Sequence, residues 1–303
     1  MKAFPHINAD IHFITEKNGI QLSVLREDKI HPLISGNKFR KLKYNLKAFE
    51  EGKYEGILTF GGAYSNHIAA TAAAGREFGF RCIGVIRGEE LAEKIIENPT
   101  LHFAASCGME LHFIPRTQYR NKNQSGFLKK IKSEFGNIFI LPEGGTNEAA
   151  VRGCEEILNE KTSEFDYICC AAGTGGTVSG LIRSAEKHQK ILIFPALKDS
   201  DFLIDVIKNY STRSNYELIQ KYHFGGYAKI TDELIGFINS FKKETNVPLE
   251  PIYTGKMLLG IFDMMELKLF PKGSKVLAVH TGGLQGIQGF NQKLKIQGKT
   301  LIK

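Results

Sequence analysis

The chain has 303 residues and a formal net charge of +8, from 40 Lys+Arg against 32 Asp+Glu. Its 42% hydrophobic and 24% charged content is that of a folded globular chain, which excludes a disordered or fibrous protein, and at this length cores tend to split, so two lobes are expected. The longest apolar runs, "YICCAA" and "ILIF", fall far short of the roughly 20 residues a membrane helix needs, so no membrane partner is expected.

The opening "MKAFPHINADIHFI" places Pro5, His6, Asn8 and Asp10 where a secretory leader would run unbroken and apolar. Cys82, Cys107, Cys154, Cys169 and Cys170 form no CxxC pair, which points to a reduced, cytoplasmic setting and to no metal site. Next comes "HPLISGNKFRKLKYNLKAF", His31 to Phe49, a basic helix opened by Ser35-Gly36-Asn37. Lys38 falls in its first turn, where a cation opposes the helix dipole and is easier to deprotonate. Lys41, Lys43 and Lys47 read as ordinary surface lysines.

Beyond this helix, "EGILTFGG", "RCIGVIR", "MELHFI" and "NIFIL" are short β-rich runs separated by helical stretches such as "NHIAATAAAGREFG". The alternation resumes with "FDYICCAA", a helix from about Gly176 to His188, "KILIFPAL" and "KVLAVH". In "TDELIGFINSFKK", Leu234, Ile235, Ile238 and Phe241 form one buried helical stripe. The fold class is therefore α/β, in two lobes, each an open, mostly parallel sheet flanked by helices. One block runs from about Leu46 to Pro142 and the other from about Thr146 onward; the opening residues could pack with either.

Ligands of open α/β sheets bind where strand C-termini meet helix N-termini, and four glycine-rich turns follow strands here. In "TFGGAYSNH", Ser65 or Asn66 is equally a helix cap and part of a carboxylate or phosphate site. In "AAGTGGTVSG", Gly173, Gly175 and Gly176 let the backbone approach an anion while Thr174 and Thr177 add hydroxyls. It is neither a Walker A loop nor a dinucleotide fingerprint, because Val178 stands at the third glycine. "LPEGGTN" and "HTGGLQG" are ordinary tight turns singly, and together with the others they suggest a ligand between the lobes. A lysine able to lose its proton beside a phosphate cup is the pairing that pyridoxal phosphate requires.

"REDKIHPLISGNKFRKL", "GGAYSNHIAATAAA", "PEGGTN", "GTGGT" and "IYTGK" resemble the sequence blocks of the 1-aminocyclopropane-1-carboxylate (ACC) deaminase and D-cysteine desulfhydrase family. These are fold-type-II pyridoxal-phosphate enzymes related to the tryptophan synthase β subunit. The resemblance implies a larger cofactor-binding domain of residues 1–45 plus 146–303, a smaller α/β domain of 46–145, and an active site in the cleft between them. It implies that Lys38 is the Schiff-base lysine, Asn66 the partner of the cofactor's ring hydroxyl, and Gly173, Thr174, Gly175, Gly176 and Thr177 the phosphate loop. Ser65, Asn66 and His67 would hold the substrate carboxylate. Tyr227 and Tyr253 match the family's active-site tyrosines, although both also read as amphipathic core residues. A homodimer is expected from the resemblance alone.

Two departures carry information. ACC deaminases have Glu facing the pyridine nitrogen where this chain has Thr254, as the desulfhydrases do. A hydroxyl permits a neutral ring, which is enough to expel a thiolate and poorly suited to opening a cyclopropane. Tyr64 stands where the family usually has Gln. The expected activity is a lyase acting on a small amino acid: β-elimination from D-cysteine or a relative, giving pyruvate, ammonia and sulfide. The alternative within the same chemistry is ACC deamination to 2-oxobutyrate and ammonia. From a different class, the basic helix "NKFRKLKYNLK" could serve a nucleic-acid-binding protein, although it lacks aromatic interleaving beyond Phe39 and Tyr44; no nucleic-acid partner is expected.

Overall fold

Strand runs of period two and helix runs of period 3.6 assemble here into two separate sheets. The computed structural model describes Pro5 and residues 7–303. Met1 to Phe4 and His6, part of the opening segment read above, lie outside the described residues.

The chain begins with an antiparallel hairpin, β1 (Ile11–Lys17) and β2 (Ile20–Leu25). Its turn is Asn18-Gly19, with φ of 54° and 73°, the left-handed pair that a tight hairpin needs. There follow α1 (Asn37–Glu51), β3 (Gly56–Gly61), α2 (Asn66–Phe78), β4 (Arg81–Arg87), α3 (Pro99–Ser106), β5 (Glu110–Ile114), the short α4 (Arg116–Tyr119), α5 (Ser125–Phe135) and β6 (Ile138–Leu141). The strands from β3 to β6 form a sheet in the order β5-β4-β3-β6, parallel throughout. β3 is buried along its whole length, as expected of an inner parallel strand covered on both faces.

The rest of the chain supplies α6 (Glu148–Glu155), β7 (Tyr167–Ala172), α7 (Gly176–Ser184), β8 (Lys190–Pro195), α8 (Phe202–Tyr210), β9 (Tyr216–Leu218), α9 (Asp232–Thr245), α10 (Thr254–Glu266), β10 (Lys275–Val279) and α11 (Gly286–Ile296). The second sheet has the order β1-β2-β10-β7-β8-β9, parallel except for the opening hairpin. Strand alternation divides its side chains between two cores. Ile168, Cys170, Ile191, Ile193, Leu277 and Val279 face one core, while Cys169, Ala171, Leu192, Phe194, Val276 and Ala278 face the other. The adjacent Cys169 and Cys170 therefore point to opposite sides of the sheet, and each is a buried free thiol.

The α/β class with two mostly parallel sheets is as the sequence implies. The opening hairpin and β9 were not foreseen, and the helix expected to reach His188 stops at Ser184. It stops because Gln189 folds the next residues back: its Oε1 accepts from the Glu186 N–H (3.0 Å) and its amide donates to the carbonyls of Thr162 (2.8 Å) and Phe165 (3.1 Å).

α1 joins the parts of the molecule. Phe39, Leu42, Leu46 and Phe49 are buried in the core shared with α6 and α7. Gly36, just before the helix, has φ of 62°, and a Cβ placed on it would lie 2.0 Å from the Thr281 carbonyl oxygen. That carbonyl accepts the Asn37 N–H (3.2 Å), so the first turn of α1 is pinned to the end of β10 by a contact only glycine permits. Gly36→Ala should therefore cost about 3 kcal/mol of unfolding free energy in urea titration; an unchanged midpoint and slope would contradict so close an approach.

Candidate active site

The start of α1 brings Lys38 to the C-terminal ends of both sets of strands. Its Nζ donates to Asn37 Oδ1 (2.9 Å), and the Asn37 amide donates to Thr177 Oγ1 (2.8 Å) in the first turn of α7. The Lys38 amine is lowered to about 7, first by burial and then by the like charge of Lys41. The direction matches the sequence reading, but burial and Lys41 are its causes.

Lys41 was read as a surface residue, and that is corrected: it is 3% exposed. Its Nζ donates to the Gly144 carbonyl (2.9 Å) and to Thr146 Oγ1 (3.1 Å), and the Thr146 hydroxyl lies 2.7 Å from that of Thr174. A Cβ on Gly176 would sit 3.2 Å from Lys41 Nζ and 2.8 Å from Thr146 Oγ1. The turn from β7 to α7 thus combines first-turn N–H groups, a left-handed Gly175 (φ 84°), three hydroxyls and a buried cation. That is a cup for an anion. Helical spacing decided this placement: three residues carry the side chain to the same face as Lys38. The sequence signal was therefore present.

The basic helix is likewise less basic at its surface than its sequence suggests. Arg40, 1% exposed, turns inward to a bidentate pair with Glu27 (2.9 and 2.7 Å), and Lys43 pairs with Glu156 (2.8 and 2.7 Å). Two of the cations in that helix are thereby turned to carboxylates and withdrawn from any stripe it could offer a phosphate backbone.

At the turn from β3 to α2, Ser65 caps the helix, its Oγ accepting the Ile68 N–H at 3.3 Å. The Asn66 amide makes no hydrogen bond to another described residue and faces Gly283, where an added Cβ would lie 3.9 Å from Asn66 Nδ2. His67 differs from its neighbours. Its Nε2 lies 2.7 Å from Thr59 Oγ1, whose hydrogen goes to the Leu141 carbonyl (2.9 Å), so His67 donates from Nε2 and its Nδ1 is a bare acceptor with no partner among the described residues. Burial, with Lys38 and Lys41, holds the imidazole well below its usual pKa and hence neutral. A neutral ring presenting a lone pair cannot hold a carboxylate; at this residue only the backbone N–H is available to one.

Tyr253 and Tyr227 meet edge to face, ring centroids 6.2 Å apart, and the Tyr253 hydroxyl lies 3.1 Å from the Cβ position of Gly173. Burial raises the pKa of both phenols, so both keep their protons. Tyr253 is half-buried and Tyr227 is 43% exposed, which sets aside the core reading for Tyr227. Thr254 is fully buried and bound to Glu250, a residue the sequence reading did not single out. The Glu250 carboxylate accepts from the backbone N–H of Ile252 (2.7 Å), Tyr253 (2.9 Å) and Thr254 (2.6 Å) and from Thr254 Oγ1 (3.1 Å). An acidic residue just ahead of a helix start was the available signal. Tyr64 packs on α11, its ring beneath Lys293 Nζ at 4.7 Å and so close to Gly289 that a Cβ there would clash.

These contacts close a circuit: α1 to Thr281, Gly283 to Asn66 and Glu250, Thr254 to Tyr253 and Gly173, and Thr174 through Thr146 back to Lys41. The residues fit pyridoxal phosphate, with a near-neutral buried amine for its aldehyde, a cationic cup for its phosphate, and an unpartnered amide at Asn66. The family model described as "Pyridoxal-phosphate dependent enzyme" matches residues 9–282. The chain belongs to this family. Among pyridoxal-phosphate enzymes it is 30% identical to the "Putative 1-aminocyclopropane-1-carboxylate deaminase" of Thermotoga maritima, over 93% of this chain and 94% of that one. It is 28% identical to the "Bifunctional D-cysteine desulfhydrase/1-aminocyclopropane-1-carboxylate deaminase, mitochondrial" of Arabidopsis thaliana, over 89% of this chain and 74% of that one. The solved structure titled "Crystal Structure Analysis of the ACC deaminase homologue" superposes with a TM-score of 0.82 at 25% identity, covering 98% of this chain and 95% of that one. The protein is thus a pyridoxal-phosphate enzyme of the ACC deaminase and D-cysteine desulfhydrase family. Among the described residues no helix is long and apolar enough to cross a membrane.

A Lys38 amine at about 7 predicts that chromophore formation by the cofactor-free protein with added pyridoxal phosphate rises with pH to a midpoint near 7, because only the neutral amine attacks an aldehyde. Lys41→Met, which removes the like charge, should move that midpoint upward. A midpoint above 9 in the unmodified protein would contradict the burial of Lys38.

Proposed function

We propose that this enzyme catalyses β-elimination from D-cysteine or a closely related small amino acid, giving pyruvate, ammonia and sulfide. The reading is carried by the residue at position 254, which the family resemblance puts opposite the cofactor's ring nitrogen and which here is a buried neutral hydroxyl, Thr254. The nearest carboxylate, Glu250, is consumed by three backbone N–H groups and by that hydroxyl. A hydroxyl holds a proton on the ring far less firmly than a carboxylate does, which suits departure of a good leaving group better than opening a cyclopropane. ACC deamination to 2-oxobutyrate and ammonia is the second reading, favoured by the names of the relatives and disfavoured by Thr254.

In this reading the larger domain is 1–45 with 146–303, the smaller is 46–145, and the site lies in the cleft between them. Lys38 would carry the cofactor, Gly173, Thr174, Gly175, Gly176 and Thr177, with Lys41, would hold its phosphate, and Asn66 would serve its ring hydroxyl. When bound, pyridoxal phosphate supplies an aldehyde that captures the substrate amine and a ring that accepts the electrons left by the α-proton. Ser65, Asn66 and the backbone N–H of His67 hold the substrate carboxylate at the start of α2. The freed Lys38 amine, near-neutral at pH 7, takes the α-proton. The hydroxyls of Tyr253 and Tyr227, kept protonated by burial, donate to the departing sulfur. The released enamine hydrolyses in water to pyruvate and ammonia. A homodimer in a reducing cytoplasm belongs to the same reading, supported for the compartment by five buried free cysteines.

The test is an assay of cofactor-loaded protein against D-cysteine, L-cysteine, D-serine and ACC, scoring sulfide, pyruvate and 2-oxobutyrate. Sulfide and pyruvate from D-cysteine are expected to dominate; preferential 2-oxobutyrate from ACC would refute the reading. Lys38→Ala should lose both the visible chromophore and borohydride-fixable cofactor. Thr254→Glu should raise the ratio of ACC to D-cysteine turnover by about tenfold; an unmoved ratio would remove Thr254 from the argument.

A further inference from the structure

The mechanism leaves one buried charge without a task. Lys256 lies in the first turn of α10, two residues past Thr254, and is 2% exposed. Its Nζ donates to the carbonyl oxygens of His223 (2.9 Å) and Gly226 (2.8 Å), and burial lowers its pKa to about 8. Glu250 is the one charge that favours its ammonium, and among the described residues Lys256 makes no ion pair; an ammonium bonded to carbonyl dipoles costs more to bury than an apolar side chain of the same length. Stability is therefore a poor account of its presence.

The two carbonyls are the ones that close the loop bearing Tyr227. The Gly226 N–H donates to the His223 carbonyl (3.0 Å), and the Lys229 N–H donates to the Gly226 carbonyl (3.2 Å). The loop carries a run of positive φ, 50°, 84°, 111° and 57° at Phe224, Gly225, Gly226 and Ala228, which the two glycines adopt freely and Phe224 and Ala228 do not. Phe224 and Ala228 hold a left-handed conformation that residues with a Cβ rarely adopt, so the loop needs an external hold to keep this shape. The hold comes from the same helix that starts at Tyr253 and Thr254, which ties the pose of Tyr227 to the framework of the site.

We infer that Lys256 is a positioning residue: by clasping the His223 and Gly226 carbonyls it fixes the loop of residues 223–229 and sets the Tyr227 hydroxyl against Tyr253 over the site. This rests on the reading in which Tyr227 faces the substrate. Lys256 itself touches neither substrate nor cofactor.

The test compares Lys256→Met, Lys256→Arg, Tyr227→Phe and the Lys256→Met/Tyr227→Phe pair in the cofactor-loaded protein. Lys256→Met should fold with an unlowered Tm and an unchanged cofactor absorbance, because it removes a buried charge outside the cup. Amide exchange in residues 223–229 should become about tenfold faster. Its kcat/KM for D-cysteine should fall to that of Tyr227→Phe, with the pair no worse than either single change, and Lys256→Arg should recover most of the loop protection. Unchanged loop exchange in Lys256→Met, or losses that multiply in the pair, would overturn the clasp. If Lys256→Met does not fold, Lys256→Arg with exchange as fast as an open loop would equally overturn it. Full activity in Tyr227→Phe would instead overturn the catalytic placing of Tyr227, and the exchange measurement would still decide the clasp.

Discussion

Two amines three residues apart on one face of α1, the half-buried Lys38 and the buried Lys41, act on each other's charge, and the rest of the site is arranged around them. Each is lowered by burial, and Lys38 further by its neighbour. Neither has a carboxylate within salt-bridge distance among the described residues; oxygens of Asn37, Gly144 and Thr146 meet them. Dipoles of that kind hold a cation in place without cancelling its charge. The arrangement leaves positive potential for an anionic ligand and makes one of the two amines a nucleophile near neutral pH. Pairing either lysine with a carboxylate would steady the empty protein and spoil both properties.

Everything that brings the other side chains to these lysines is backbone placed at strand ends. β7 and β10 are parallel neighbours in one sheet and β3 belongs to the other, and the turns beyond their C-terminal ends meet side by side: Gly283 lies against Asn66, and Gly144, after β6, against Thr174. Close approach then substitutes for side-chain bulk. Gly36 lets α1 touch the carbonyl of Thr281, and Gly176 lets Lys41 and Thr146 come up against the start of α7. Glu250 does for α10 what Ser65 does for α2, tying down first-turn N–H groups, and in doing so it also commits the Thr254 hydroxyl.

The charge balance of the molecule has a corresponding division. Its basic helix looks like a binding surface when read linearly, yet Arg40 and Lys43 are neutralised by Glu27 and Glu156 from distant parts of the chain. Net charge alone is a statement about the long-range field and carries no information on which cations remain free.

The amino-acid sequence by itself determined the class of fold and where the glycine-rich turns and the helix start before Lys38 fall, because these rest on local signals. Strand–helix alternation, paired glycines after strands, and the Ser-Gly-Asn start before Lys38 can be read within a few residues. The Asn18-Gly19 hairpin turn is legible by the same rules. What only the tertiary structure decided is which charges are paired and which polar atoms are spent. That Lys41 faces the cup, that the His67 ring turns toward Thr59, that Glu250 engages Thr254 and that Lys256 reaches the loop of Tyr227 all depend on the packing of elements onto one another. Burial and hydrogen-bond partners set the protonation state of each group, and those are properties of neighbours in space that no local pattern encodes.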